Sequence, residues 1–118
     1  MSKILRGQIW EVDLNPQTHK EEPGKRKQPA LVVQTDILNQ AGHPTTIIIP
    51  GTSDIEESDC FPLRIALRQI PGLPLPTDLL IDQIRSISNR RFIGTNHIAE
   101  LSANHMKRVQ EAMRILMS

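Results

Sequence analysis

Three short stretches of this 118-residue chain carry side chains whose types and spacing could do chemistry. Lys20, Lys25, Arg26 and Lys27 crowd the first, with Glu21 and Glu22 among them and His19 just before. An arginine there can grip two oxygens of a phosphate at once, and a loop histidine titrates near neutral pH. The second, Ile49-Pro50-Gly51-Thr52-Ser53, sets two hydroxyls beside a Pro-Gly turn. The third, Asp82-Gln83-Ile84-Arg85-Ser86-Ile87, puts Gln83 and Arg85 on one side if it is extended. Each has a plainer reading. Charge runs are mostly solvated loops, Thr is common in Pro-Gly turns, and a lone loop histidine is mostly a bystander. Asp54, Glu56, Glu57 and Asp59 form a second charge run that reads in the same way.

Composition narrows the chemistry. Net charge is only +1, so no global basic field announces a nucleic-acid partner. Two Phe, one Trp and no Tyr argue against an aromatic platform for stacking single-stranded bases. The single Cys60 cannot form an internal disulfide, and the Cys and His spacing offers no metal site or metal cofactor. No apolar segment precedes Arg6 and no run is long enough to span a bilayer, which fits a cytoplasmic location without a membrane partner. Residues 1–118 read as one domain with a core of Ile, Leu and Val.

The elements that must position these groups are mainly strands. Gln8 to Leu14 alternates, with Gln8, Trp10, Val12 and Leu14 on one face, and reads as a half-buried strand ended by Pro16. A polar loop from Gln17 to Gln28 breaks at Pro23-Gly24. Ala30 to Val33 is a continuous apolar run fit for a central strand. Asp36 is expected to cap a short turn over Ile37 to Gln40. Further strands are expected at Thr45 to Ile49, Phe61 to Leu67, Leu79 to Ile84 and Phe92 to Ile98. Ser102 should cap a terminal helix, with Leu101 and Met106 forming a staple and Met106, Val109, Met113 and Leu116 its apolar stripe. The class is mainly β with one α-helix (α+β): five to six strands in a small, strongly bent barrel against that helix.

Arg6-Gly7-Gln8-Ile9-Trp10-Glu11-Val12-Asp13-Leu14-Asn15-Pro16, then Pro29-Ala30-Leu31-Val32-Val33-Gln34-Thr35-Asp36, then Asp82 to Ile87 together resemble the MazF/PemK family of toxin endoribonucleases. The resemblance spans nearly the whole chain. It implies an SH3-like barrel, usually a two-fold homodimer, that is the toxin of a type II toxin–antitoxin system. It also implies sequence-selective, metal-independent cleavage of single-stranded RNA. The 2′-hydroxyl would attack the adjacent phosphorus, leaving a 2′,3′-cyclic phosphate and a 5′-hydroxyl. Such a reaction needs help with the hydroxyl proton, a cation for the phosphate oxygens and an in-line backbone.

By the same resemblance Thr52 carries the catalytic role of the family's strand-end threonine, with Ser53 beside it. Glu21 matches an RNA-contacting loop residue, and Gln83 and Arg85 line a groove for RNA or the antitoxin's tail, or else stitch the dimer together. One position departs. Where the family has Arg-Pro at the start of the second strand, this chain has Gln28-Pro29, in a longer loop Gly24-Lys25-Arg26-Lys27-Gln28-Pro29. A glutamine donates a hydrogen bond but brings no charge. Either Arg26, or Lys27, reaches the same space and replaces the missing arginine, Arg26 being the better phosphate ligand, or the domain is a silent module that binds RNA or antitoxin without cutting. A toxin that poisons gyrase from the same barrel is a third reading, which the Thr52 and Asp82-to-Ile87 motifs disfavour.

Overall fold

The computed structural model describes residues 4–14 and 27–118. Among these residues seven strands form one sheet: β1 (Gln8–Asp13), β2 (Lys27–Val32), β3 (Thr45–Thr52), β4 (Arg64–Leu67), β5 (Thr77–Leu80), β6 (Arg85–Ser88) and β7 (Ala99–Glu100). Helix α1 (Asp36–Gln40) joins β2 to β3, and α2 (Ala103–Leu116) closes the chain. The order is β4-β5-β3-β2-β1-β7, with β6 also paired to β3. The sheet therefore curls around β3 into a half-barrel. One edge of β3 receives β2 through Ile48, Ile49 and Pro50. The other receives β6 opposite Thr45 to Ile48, then β5 opposite Gly51 and Thr52.

Alternation along the central strands feeds two cores. Ile9, Leu31, Ile49, Ile65, Leu67, Leu79 and Ile81 pack with Val109 and Ala112 of α2. Trp10, Val12, Ala30, Val32, Ile48 and Ile87 pack on the other side with Ile4, Leu14 and Phe92. Hence β1 is buried on both faces over Gln8 to Trp10, rather than half-buried as its pattern suggests. The buried Gln8 is satisfied locally, because its Oε1 accepts from Trp10 Nε1 at 2.9 Å and from the Leu5 N–H at 2.8 Å.

Several boundaries differ from the sequence reading. The expected strand from Leu79 to Ile84 stops at Leu80, and Ile81–Gln83 makes a 3-10 turn before β6. Leu79 lies opposite Gly51 and Arg85 opposite Ile48, so six residues of one strand run along three of the other. The turn absorbs the surplus. Strand alternation does not carry from Gln83 to Arg85. The expected strand over Phe92 to Ile98 is only a single bridge from Phe92 to Val12, and pairing resumes at Ala99–Glu100 against β1. In place of a strand from Phe61, β4 starts at Arg64, after a turn whose Leu63 and Arg64 N–H groups both reach the Cys60 carbonyl. Thr35, not Asp36, caps α1. Its hydroxyl accepts from the Ile37 N–H, while Asp36 turns back to accept from the Arg6 N–H at 2.7 Å. Ser102 caps α2 as expected, accepting from the His105 N–H. Leu101, Met106 and Met113 join the first core, whereas Leu116 is exposed and Ala112 takes the buried place on that stripe.

Candidate functional site

A cleft of about 440 Å³ opens at one end of β2 and β3. Lys27, Gln28 and Pro29 line it from β2, Gly51, Thr52 and Ser53 from the end of β3, and Glu11 from β1. Leu73, Pro74, Leu75, Thr77, Leu80 and Ile98 complete its lining. The antiparallel register explains the gathering. Ala30 lies opposite Pro50, so the start of β2, before Pro29, comes to rest beside the end of β3, which continues through Pro50 and Gly51 to Thr52 instead of turning there. Gln28 and Thr52 are thereby neighbours although 24 positions separate them, and Gln28 Nε2 points at the Gly51 carbonyl at 3.4 Å.

Two glycines set the walls. A Cβ on Gly51 would stand 2.7 Å from Thr77 Cγ2 and 3.2 Å from Pro29 Cγ, so β2, β3 and β5 close up here only with glycine. Gly72 has φ +90°, and a Cβ there would fall 1.8 Å from the Ile98 carbonyl oxygen. That approach brings Leu73 to Leu75 over the cleft.

Beside the cleft, a buried carboxylate orders the loop that follows Thr52. Asp78, on β5 opposite Thr52, accepts from the Glu56 N–H at 2.9 Å, from Arg64 Nη1 at 3.1 Å and from Arg68 Nη2 at 3.0 Å. Arg64 also donates to the Asp54 carbonyl at 3.0 Å, and the Asp54 N–H donates to Thr52 Oγ1 at 3.1 Å. Burial by itself would raise the Asp78 carboxyl, but the Glu56 N–H and the Arg68 and Arg64 guanidinium groups hold it below its ordinary value. Asp78 reads in the sequence as one more loop acid near the prolines. Only the pairing of β4 with β5, which sets Arg64 and Arg68 around it, reveals its place.

The residues singled out by the sequence divide into three groups. Gln28, Thr52 and Ser53 share the cleft, and Lys27 is its cation among the described residues. Gln83 and Arg85 are exposed on the 3-10 turn and the start of β6, and neither lines the cleft. Glu21, Arg26 and His19 lie outside the described residues. Glu11, Leu73 to Leu75 and Ile98 were not anticipated. Among the described residues, no group of three or more His, Cys, Asp or Glu side chains could hold a metal ion. No helix among them is long and apolar enough to cross a membrane.

Against known proteins, the sequence profile described as "PemK-like, MazF-like toxin of type II toxin-antitoxin system" matches residues 5–117. The chain belongs to the MazF/PemK toxin family. It is 31% identical over 117 residues to the endoribonuclease MazF9 of Mycobacterium tuberculosis, covering 95% of this chain and 94% of that protein. Solved MazF folds superpose over nearly the full length. The MazE–MazF complex of Deinococcus radiodurans (Form-II) gives a TM-score of 0.75 at 20% identity, covering 100% of this chain and 98% of that one. An endoribonuclease in complex with its cognate antitoxin from a mycobacterial species gives 0.71 at 20% identity, covering 99% and 95%. The half-barrel with its terminal helix is thus the MazF fold. The MazF cleavage role proposed for Thr52 falls on a residue in the cleft, beside Gln28.

Proposed function

We propose that this protein is a MazF-type toxin that cuts single-stranded RNA sequence-selectively and without metal, by 2′-hydroxyl attack on the adjacent phosphorus. The observation that carries the reading is the register of β2 and β3, which sets Lys27 and Gln28 around Thr52 in one open cleft. The Thr52 hydroxyl accepts from the Asp54 N–H, which fixes its oxygen and leaves its own proton free for a phosphate or ribose oxygen. Lys27 brings positive charge to the place where the Gln28 amide brings none. Charge growing on the phosphate oxygens is offset by Arg26 or by Lys27, a guanidinium being the better phosphate ligand of the two. Incubation with a long single-stranded RNA in excess chelator tests this. Fragments with cyclic phosphate and 5′-hydroxyl ends are expected. Fragments with 5′-phosphates, or cutting that needs an added metal, would overturn it.

One observation favours a second reading. The Gln28 amide donates to the Gly51 carbonyl in the cleft wall, so it is engaged with the protein's own backbone. A domain whose matching residue is occupied with its own backbone is a candidate for an RNA- or antitoxin-binding module that does not cut.

By likeness to the complexes above, the partner is a small cognate antitoxin in the cytoplasm, and the working unit is a two-fold homodimer. The exposed Gln83 and Arg85 serve that dimer or its groove. Sedimentation at micromolar concentration should show the dimer, and a stable monomer would count against it.

A further inference from the structure

Cleavage by a 2′-hydroxyl calls for a proton acceptor within hydrogen-bond reach of the attacking oxygen. Among the described residues, Glu11 is the carboxylate that lines the cleft. Its Cα lies opposite Pro29, and Pro29 in turn sits against Gly51, so the three form a row across β1, β2 and β3. Lys27 is two residues from Pro29 on the same face of β2, diagonal to Glu11 and opposite Asp13. Cross-strand diagonals of this kind are about 7–8 Å apart at Cα, within reach of two long side chains. Thr52 follows Gly51 directly. An acceptor-only carboxylate, an ammonium and a hydroxyl thus face one opening.

A purely structural role leaves Glu11 little to do. It is half-buried, and its side chain has no hydrogen-bond or ion-pair partner among the described residues. A bare carboxylate facing a polyanion also weakens binding by repulsion. Taking up a proton from the substrate removes that penalty as the reaction proceeds.

We infer that Glu11 is the general base of the cleavage step, an inference that rests on the RNA-cleaving reading above. The Glu11 carboxylate accepts the 2′-hydroxyl proton as the bond from the 2′-oxygen to phosphorus forms. The bond from phosphorus to the 5′-oxygen breaks, its electron pair goes to that oxygen, and the oxygen takes a proton from the Lys27 ammonium. Water then carries the proton from Glu11 back to Lys27, and both groups are restored.

Glu11→Gln keeps size and hydrogen bonding but cannot accept the proton. It should lower kcat about 10²–10⁴-fold, leave KM within a few-fold and abolish the acid limb of the pH–rate profile. Glu11→Ala should be inactive and partly rescued by added formate, a readout that a folding defect would not give. If the native protein cuts and Glu11→Gln keeps both its rate and the acid limb, Glu11 is not the base, although the RNA-cleaving reading stands. A changed cleavage sequence with an unchanged acid limb would also overturn the inference, since Glu11 would then be reading a nucleobase. A native protein that cuts no RNA overturns the functional reading and this inference together.

Discussion

The close approach of three strands at Gly51 can be tested by a double-variant cycle. In Gly51→Ala the new methyl stands 2.7 Å from Thr77 Cγ2, whereas carbons rest at about 3.5–4.0 Å. Thr77 must therefore retreat by at least about 0.8 Å. It has little freedom to do so, being buried, with its hydroxyl donating to the Leu75 carbonyl at 3.0 Å. Overpacking of this kind costs about 1–3 kcal/mol. Stiffening of the unfolded chain by alanine offsets roughly 0.4–1 kcal/mol of that, for a net loss of about 1–2 kcal/mol. Thr77→Ser keeps the hydroxyl and deletes the clashing methyl, at a cost of about 0.5–1.5 kcal/mol by itself. In the double variant the alanine methyl fills the space left by Cγ2, so its loss should fall short of the sum by about 1–2 kcal/mol. Urea unfolding followed by the fluorescence of Trp10, the single tryptophan and a buried one, reads all four proteins. Losses that add to within about 0.5 kcal/mol would refute the steric account of the cleft floor.

Because Asp78 is held below its ordinary value when folded, its contribution is complete above the unfolded carboxyl's value of about 3.9 and is lost as pH falls through the folded value. Asp78→Asn should accordingly flatten the acid side of the stability–pH curve, read by urea midpoints between neutral and strongly acid pH, and an unchanged slope would show that the Arg64 and Arg68 contacts do not persist in solution. If Arg26 stands in for the family's arginine, Arg26→Ala should abolish RNA cutting and Gln28→Ala should matter little. A native protein that does not cut should instead gain activity from Gln28→Arg, whose charge beside Thr52 is worth about 2.7–4 kcal/mol of transition-state stabilisation. Undiminished cutting by both Arg26→Ala and Lys27→Ala would remove this loop from the mechanism.

Local pattern made much of the fold legible. Apolar runs marked β1, β2 and β3, and Ser102 marked the start of α2, because burial and capping are written in neighbouring residues, but the prolines misplaced two ends: Pro29 lies inside β2 and Pro50 inside β3, each paired to a neighbouring strand. The 3-10 turn at Ile81–Gln83 stayed hidden. Ile81 is buried there and Ile84 half-buried, so the apolar pattern of a strand continues through residues whose backbone has left the ladder. Strand β7 is two residues long and owes its place to pairing with β1, which no local pattern encodes. At the site, Gln28 and Thr52 were readable from motifs and then met in space. Glu11 was not, since on an alternating strand a charged residue reads as the solvent face. Only the register with β2 and the approach of the Gly72 loop turn that face into a cleft wall.

The central claim is attack by the ribose hydroxyl in a metal-free cleft, and one substrate isolates it. Once the preferred cleavage position is known, a single-stranded RNA carrying one 2′-deoxy nucleotide just before that bond is compared in chelator with its all-ribose parent. The account predicts that the parent is cut to cyclic phosphate and 5′-hydroxyl ends while the substituted RNA stays whole at that bond, still binding and competing with the parent. Cleavage of the substituted bond would contradict it, because the nucleophile would then have come from somewhere other than the substrate.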